Sequence, residues 1–310
     1  MSITVVGSIA YDTVKTPFGQ RERMLGGAAV HFAMAASFFD DVRVVGPVGE
    51  DFGEPQLEVL RQRGVDVSDV ERVPGGRTFF WHGEYGWDLN SRDTLDTQLG
   101  VFEGFAPKLS SDSRSSDVLF LANIQPDLQR EVRAQLPDAR FVALDSMNLW
   151  IDIARDSLVQ AIESVDCVIL NDAELRQLTG KPNLFSAARE VLSWGPRVIV
   201  AKQGEYGAAL VTAESFFSLP AFPLESVIDP TGAGDTFAGG FVGYIAQRLR
   251  SEELSDGLLR AAMANGTTLA SFNVEEFGTE RVVRLTEQEI VARVQELREI
   301  TRFSGAPATG

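Results

Sequence analysis

Short apolar runs alternate with amphipathic segments along most of this chain. The runs are rich in valine and isoleucine, which favour strands, whereas the segments between them have the apolar spacing that is typical of surface helices. This alternation predicts an α/β fold of three α/β/α layers, in which helices cover both faces of a mostly parallel central sheet. Strands are expected at 3–7, 42–48, 118–122, 141–145, 167–171, 198–202 and 208–212.

Two stretches depart from this rhythm. Residues 11–24 are polar and turn-rich, and residues 72–93 contain an aromatic, strand-like run, so both are candidate lid segments over one edge of the sheet. With no linker or internal repeat, residues 1–303 are expected to form a single domain. Residues 304–310 are expected to be a flexible tail. Helices are expected at 28–38, 56–63, 126–135, 152–162, 173–178 and 186–194.

The formal net charge of −16 argues against polyanionic partners. Nucleic acids and anionic membrane surfaces bind concentrated basic patches, and the sequence contains none. No run approaches the roughly 18 apolar residues of a membrane-spanning helix, and the N-terminus lacks a signal-peptide pattern. The single cysteine, Cys167, excludes an internal disulfide. These features predict a cytoplasmic protein without a nucleic-acid or membrane partner.

A glycine-rich segment, DPTGAGDTFAGGF at 229–241, carries the strongest chemical signal. It is expected to be a loop that enters a buried helix. The small residues Gly232, Ala233 and Gly234 would let a ligand approach the backbone, and the first amides of a helix, which have no partners within it, would hold a phosphate. Asp235 would then place a carboxylate beside that phosphate, where it can take the proton of an attacking hydroxyl.

A structural interpretation competes with this one. For a bare Gly-x-Gly-Asp, the commoner outcome is that the glycines cap a helix and the Asp is an ordinary first-turn acid. The length of the motif favours the functional interpretation. No Gly-Lys-Ser/Thr follows the glycines, so the segment is not a Walker A loop. Charge would have to be neutralised by backbone amides, Mg²⁺ and an arginine elsewhere.

The segment resembles the C-terminal signature of the PfkB/ribokinase family of carbohydrate and nucleoside kinases, and the resemblance extends from about residue 3 to about residue 290. It implies a ribokinase-like fold with a small or reduced β lid, and an ATP-dependent phosphotransferase that acts on a hydroxyl. It also implies that Asp235 is the catalytic base, and that the amides of Gly232, Ala233 and Gly234 stabilise the transferring phosphoryl group.

Two N-terminal motifs match in the order that the family requires. VGSIAYD ends on Asp12, at the position where the family binds substrate hydroxyls, and LGGAAVH matches its glycine pair, Gly26 and Gly27. The chain departs from the pattern at His31, where the family commonly has Asn. His31 is a candidate substrate contact, with a buried structural role as the equal alternative. Asn123, which follows another predicted strand, is a further substrate candidate.

The motif NDAE resembles the family's Asn-x-x-Glu element, which organises Mg²⁺ and phosphate largely through water. Its Asn171 could also cap the next helix. The motif AKQGEYG resembles a strand and glycine turn that line the nucleotide site, and the region from a helix expected to begin at Ala264 up to Gly278 resembles the part that closes over adenine. Asp229 and Thr231 match a site for K⁺. The residues assigned to ATP and its metal are Asn171, Glu174, Lys202, Gly204, Gly207, Thr231, Asn265 and Gly278.

The acceptor is first interpreted as a small sugar or polyol, with a nucleoside or inositol as the alternative within the family. A non-catalytic sugar- or nucleotide-binding regulator is the alternative from another class, since fold alone does not fix function. The intact Gly-Ala-Gly-Asp argues against that regulator. A dinucleotide-dependent oxidoreductase is excluded because no Gly-x-Gly-x-x-Gly follows the first strand. A homodimer is the expected assembly.

Overall fold

The computed structural model describes residues 1–302, so the tail predicted at 304–310 lies outside the described residues. The strands are β1 Ser2–Val6, β2 Ala10–Thr16, β3 Gly19–Gly26, β4 Asp41–Gly49, β5 Val70–Val73, β6 Phe79–Tyr85, β7 Arg92–Gln98, β8 Val118–Leu121, β9 Phe141–Leu144, β10 Cys167–Asn171, β11 Val198–Lys202, β12 Ala208–Val211 and β13 Phe216–Leu219.

The helices are α1 Ala28–Ala36, α2 Glu54–Gln62, α3 Ser111–Arg114, α4 Pro126–Gln135, α5 Asn148–Ile153, α6 Arg155–Ile162, α7 Asp172–Thr179, α8 Leu184–Leu192, α9 Ala233–Arg248, α10 Asp256–Asn273, α11 Glu280–Val283 and α12 Glu287–Ile300. Among the described residues, no helix is long and apolar enough to cross a membrane.

A nine-stranded sheet forms the centre of the molecule, in the order β13-β12-β11-β10-β9-β8-β1-β4-β5. The strands from β5 to β11 pair in parallel, and β12 joins the edge antiparallel to both of its neighbours. The inner strands are buried on both faces, which explains why they form continuous apolar runs in the sequence. The prediction of a mostly parallel central sheet is confirmed.

Two apolar layers lie on opposite faces of this sheet. Along β8, Val118 and Phe120 belong to a core that includes residues of α1, α2, α9 and α10, whereas Leu119 and Leu121 belong to a core that includes residues of α4, α6, α7 and α8. The alternation follows from the two-residue period of a strand. The three-layer α/β/α fold expected from the sequence is therefore present.

A second sheet of four strands, in the order β3-β2-β6-β7, lies apart from the first in the pairing pattern. We call it the lid sheet. Strands β2 and β3 form a hairpin, and β2 pairs in parallel with β6, which in turn pairs antiparallel with β7. Strand β7 and most of β3 are exposed and polar, so these segments lack the apolar signal of a strand. The lid is small, but it is a complete sheet rather than a set of turns.

Helix α10 differs from its expected bounds. The sequence predicts a helical start at Ala264, but the helix begins at Asp256, where Ser255 caps it by accepting the N–H of Leu258 at 3.2 Å. Asn265 and Gly266 therefore lie inside the helix. Gly266 is needed there for packing, because a Cβ at this position would lie 2.7 Å from the carbonyl oxygen of Phe237 in α9.

Candidate active site

The candidate site lies at the carboxyl ends of the parallel strands, where their following residues meet at one edge of the sheet. Residues after β8 and β9 supply Asn123 and Asp145, β11 ends on Lys202, and β10 ends on Asn171. The start of α9 lies beside them, since a Cβ on Gly234 would approach the ammonium nitrogen of Lys202 to 3.1 Å. Parallel pairing thus gathers residues that are far apart in the sequence.

The loop from Thr231 to Asp235, which we call the anion loop, opens helix α9. Gly232 adopts the left-handed backbone conformation with φ of 74° and precedes the first helical residue. Ala233 donates its N–H to the carbonyl oxygen of Pro230 at 3.2 Å, so this predicted phosphate contact is already used in a turn. Within residues 1–302, the N–H groups of Gly234 and Asp235 donate to no other residue. These amides, at the positive end of the helix, form an anion site.

The Asp235 carboxyl lies in the first turn of α9 and is partly buried. Burial raises its pKa to about 7, and the negative charge of Asp145 acts in the same direction, while Lys202 and Arg92 lower the pKa. A carboxylate with a pKa near neutrality is suited to accept a proton from a hydroxyl at physiological pH.

Lys202 contributes a largely buried positive charge. Its ammonium nitrogen lies 3.0 Å from Oδ2 of Asp145, and the two side chains are 17% and 6% exposed. Burial lowers the pKa of Lys202, but the negative charges of nearby carboxylates outweigh this effect and raise the pKa. The largest of these contributions comes from Asp145, followed by Glu174 and Asp235. Sequence analysis assigned Lys202 to the nucleotide site but did not pair it with Asp145.

Asn171 and Glu174 form a reciprocal cap on helix α7. The Asn171 side chain accepts the N–H of Glu174 at 2.8 Å, and the Glu174 carboxylate accepts the N–H of Asn171 at 2.8 Å. Asn171 therefore caps the helix, as the sequence allowed, and this cap fixes Glu174 at the edge of the site. Burial raises the pKa of Glu174 to about 7, partly offset by the charge of Lys202.

Asp12 lies on the opposite side of the site, on strand β2, and its side chain is held by the glycine pair. A Cβ on Gly26 would lie 2.0 Å from Oδ2 of Asp12, so only glycine fits at this position. Burial raises the pKa of Asp12 to about 7, while the backbone N–H of Gly27 lowers it and the charges of Asp229 and Asp235 raise it.

His31 lies under the anion loop. Its ring is 2% exposed, and a Cβ on Gly232 would come within 2.3 Å of Nδ1. Nδ1 is 3.3 Å from Oδ1 of Asn273, which also accepts the hydroxyl of Thr236 at 3.0 Å. Burial lowers the pKa of His31 to about 4, so the ring is neutral. The Nδ1 contact supports the loop, as the structural alternative predicts, while Nε2 is buried without a hydrogen-bond partner among the described residues, so the substrate contact stays a prediction.

Asn123 accepts the indole N–H of Trp150 at 2.9 Å, which leaves its amide N–H groups for a ligand. Trp150 was not predicted, because no motif marks it.

The remaining nucleotide candidates lie at two places. Gly204 opens a single 3-10 turn, Gly204–Tyr206, and Gly207 closes it with φ of 98°, where a Cβ would lie 2.0 Å from the carbonyl oxygen of Leu219. Asn265 donates its side-chain N–H to the carbonyl of Ala261 at 2.9 Å within α10. Asn265 therefore lies inside α10, and the expectation that this helix begins at Ala264 is wrong.

Asp229 is fully buried and lies where a cation is expected. Its two carboxylate oxygens accept the N–H groups of Thr231 and Gly278, each at 2.9 Å. No Lys or Arg among residues 1–302 pairs with it. A buried carboxylate without a basic side chain beside it is a candidate ligand for a cation.

Arg92 is a functional candidate that no sequence motif indicates. It lies on exposed strand β7 of the lid sheet, 5.4 Å above the ring of Trp81. Its charge lowers the pKa of Asp12, Glu174 and Asp235, so it acts on both sides of the site. The lid also contacts the anion loop, since Thr231 donates its hydroxyl proton to the Tyr85 oxygen at 3.2 Å.

Comparison with known proteins gives a consistent result. The model for "pfkB family carbohydrate kinase" matches residues 2–284. A cytidine kinase of Thermococcus kodakarensis is 31% identical over 84% of this chain and 95% of its own length. A ribokinase of Lactococcus lactis is 26% identical over 88% of this chain and 92% of its own length. A solved nucleoside kinase of Methanocaldococcus jannaschii superposes with a TM-score of 0.77 at 19% identity, covering 95% of this chain and 98% of that one.

Proposed function

The chain belongs to the pfkB family of carbohydrate kinases, and we propose that its acceptor is a nucleoside, phosphorylated on a hydroxyl of the sugar moiety. As a family member it is an ATP-dependent kinase of a small sugar or nucleoside and works with a divalent metal ion. The narrower acceptor class is supported by the relative that is 31% identical over 84% of this chain, which is a cytidine kinase.

The observation that supports the mechanism best is the Asp235 carboxyl beside the free amides of Gly234 and Asp235. Asp235 accepts the proton of the acceptor hydroxyl as the acceptor oxygen bonds to the γ-phosphorus of ATP. The bond between that phosphorus and the bridging oxygen breaks, and its electron pair remains on the β-phosphate of ADP. The anion loop, with Gly232 and Ala233 shaping its turn, stabilises the charge on the transferring group.

The acceptor is bound by Asp12 and Asn123. Gly26 and Gly27 lie behind Asp12 and leave room for its side chain. The Asp12 carboxyl and the Asn123 amide offer an acceptor and a donor for the hydroxyls of a sugar ring. His31 holds the loop from below through Asn273.

The nucleotide lies along Lys202, Gly204, Gly207 and Gly278, with Asn265 behind it in α10. Mg²⁺ fits the partly buried Glu174 carboxylate, as an oxygen donor that acts through water. In the described part of the chain, no group of three or more His, Cys, Asp or Glu could hold a metal alone. Glu174 and Asn171 would therefore hold a metal carried by the nucleotide. When bound, Mg²⁺ neutralises charge on the phosphate oxygens.

K⁺ at Asp229 and Thr231 is the further cofactor that we propose. The buried, unpaired charge of Asp229 supports it. A cytoplasmic location and a homodimer stay predictions.

A free sugar is the second candidate acceptor. It is supported by the ribokinase that is 26% identical over 88% of this chain. The two candidates differ in whether the acceptor carries a base.

The test measures ADP release from MgATP, with and without K⁺, against a panel of nucleosides, pentoses, hexoses and inositols. We expect one nucleoside to support turnover that falls by about 10³-fold or more in Asp235→Asn, since this removes the general base. Turnover with a free sugar alone would shift the proposal to the second candidate. Near-normal turnover of Asp235→Asn would overturn the mechanism.

A further inference from the structure

The ammonium group of Lys202 lies beside the anion loop, which contains no basic residue of its own. The space beside Gly234 is filled by its ammonium group, since a Cβ on Gly234 would approach the ammonium nitrogen of Lys202 to 3.1 Å. Larger side chains at 234 would displace the lysine. The cation and the free amides of Gly234 and Asp235 therefore border the same space.

Asp145 is the partner that holds this lysine in place. Its Oδ2 accepts a hydrogen bond from the Lys202 ammonium group at 3.0 Å, and its other carboxylate oxygen accepts the N–H of Ser146 at 2.8 Å. The buried Gln129 side chain donates to the main-chain carbonyls of Ala122 and Asp145, each at 2.9 Å. These bonds tie the ends of β8 and β9 together, so that Asp145 has a fixed position and one oxygen left for Lys202.

The chain offers few other cations for this role. It has no P-loop lysine. The second positive charge that acts on Asp235 is Arg92, which lies on an exposed strand of the lid sheet, whereas Lys202 lies at the end of a buried strand of the central sheet. Preorganised charge in a water-poor site stabilises a transition state more than mobile, exposed charge does.

We propose that Lys202 is a catalytic residue that contacts the transferring phosphoryl group, and that Asp145 is the positioning residue that keeps its ammonium beside Gly234. This inference rests on the proposed function and deepens it. Lys202 exchanges no proton in the reaction. Its charge offsets the negative charge on the phosphoryl oxygens while the acceptor proton goes to Asp235 and the bond electrons go to ADP.

The activity test compares Lys202→Met with Lys181→Met, a lysine paired with Glu190 away from the site. We expect kcat of Lys202→Met to fall by about 10²–10³-fold, as for the loss of a transition-state charge contact, with the acceptor KM changed by less than about threefold. The acid limb of kcat/KM should move to higher pH, because Asp235 loses a nearby cation while Asp145, Glu174, Asp12 and Arg92 remain. Lys181→Met should behave as the wild type.

A binding test needs no turnover. Lys202→Met should raise the Kd for ATP by about tenfold and the Kd for ADP by less than about twofold, because only ATP carries the γ-phosphate. Asp145→Asn should reduce kcat less than Lys202→Met does, and the double variant should be no worse than Lys202→Met, since the two residues act as one unit.

Wild-type kcat in Lys202→Met, or equal weakening of ATP and ADP, would overturn the inference while leaving the kinase assignment intact. A wild-type protein that turns over no acceptor would instead overturn the proposed function. If Lys202→Met does not fold, as judged by circular dichroism, Lys202→Gln and Asp145→Asn carry the same comparison. Additive losses in the double variant would remove the positioning role of Asp145.

Discussion

Three buried or partly buried carboxyls, those of Asp12, Glu174 and Asp235, share one electrostatic situation. Burial raises the pKa of each to about 7. Arg92 offsets this effect at all three carboxyls, and Lys202 offsets it at Glu174 and Asp235. A carboxyl of this kind is protonated in mildly acidic solution and charged only above neutrality. These three carboxyls therefore change their charge near neutral pH.

The rate should follow this ionisation. Because Asp235 must be deprotonated to accept the hydroxyl proton, log kcat/KM should rise with pH, with a slope of about 1 or more below pH 7, and level off above about pH 8. The measurement is initial rate at low acceptor concentration between pH 5 and 9. Asp112→Asn, at an exposed position, is the matched control and should keep the same profile. A flat profile across the range would contradict the role of Asp235.

At the scale of elements, the lid sheet connects the acceptor side to the nucleotide side. Strand β2 carries Asp12, strand β7 carries Arg92, and Asn90 before β7 donates its side-chain N–H to Glu205 of the 3-10 turn at 2.9 Å. The sheet thus contacts both halves of the site through different strands. Its exposed strands are stabilised by few apolar contacts and are suited to move.

Arg92→Ala tests the lid as a source of charge. We expect kcat/KM to fall by about tenfold, because both Asp12 and Asp235 lose a cation, and the acid limb of the pH profile to move upward. Asp93→Ala is the control, since neighbouring residues of a strand point to opposite faces. The measurement is the steady-state kcat/KM of both variants as a function of pH. Equal losses in the two variants would indicate general damage to strand β7.

The elements differ in how well the sequence predicts them. The buried strands, such as β10 and β11, consist of four apolar residues followed by one polar residue, so that their bounds at 167–171 and 198–202 are predicted correctly. Strands β3 and β7 are missed because tertiary pairing rather than apolar pattern stabilises them. Asp235 lies in a local motif and can be found from sequence. The pair of Lys202 and Asp145 cannot, because 57 residues separate its members and only the sheet joins them.

At the scale of the whole molecule, the site is a source of instability. Burial raises the pKa of each of the three carboxyls to about 7 in the folded state, well above the ordinary value of an Asp or Glu side chain. A raised pKa means that the folded state holds the proton more tightly than the unfolded chain does. Protonation of these carboxyls therefore stabilises the folded state. This contribution to the free energy of unfolding is complete below about pH 4 and is lost as pH rises through 7. The net charge of −16 acts in the same direction through self-repulsion.

The free energy of unfolding should therefore decrease between pH 5.5 and pH 8. Urea titrations at both values measure it. Asp235→Asn should be more stable than the wild type at pH 8, by on the order of 1–3 kcal/mol, because it removes one carboxylate from a water-poor site. The gain should shrink at pH 5.5, where the carboxyl is already protonated. A variant that is less stable than the wild type at pH 8 would show that the Asp235 charge is well compensated.

The position of β1 in the central sheet bears on how the protein is made. Ile3 pairs with both Val42 and Val118, so this first strand acquires its second neighbour only after more than a hundred further residues have been synthesised. The anion loop is held later still, by Asn273. A growing chain therefore keeps an apolar edge exposed for much of translation, which exposes it to aggregation and to chaperones. The anion loop gains this support only after Asn273 has been synthesised, so shorter chains lack it.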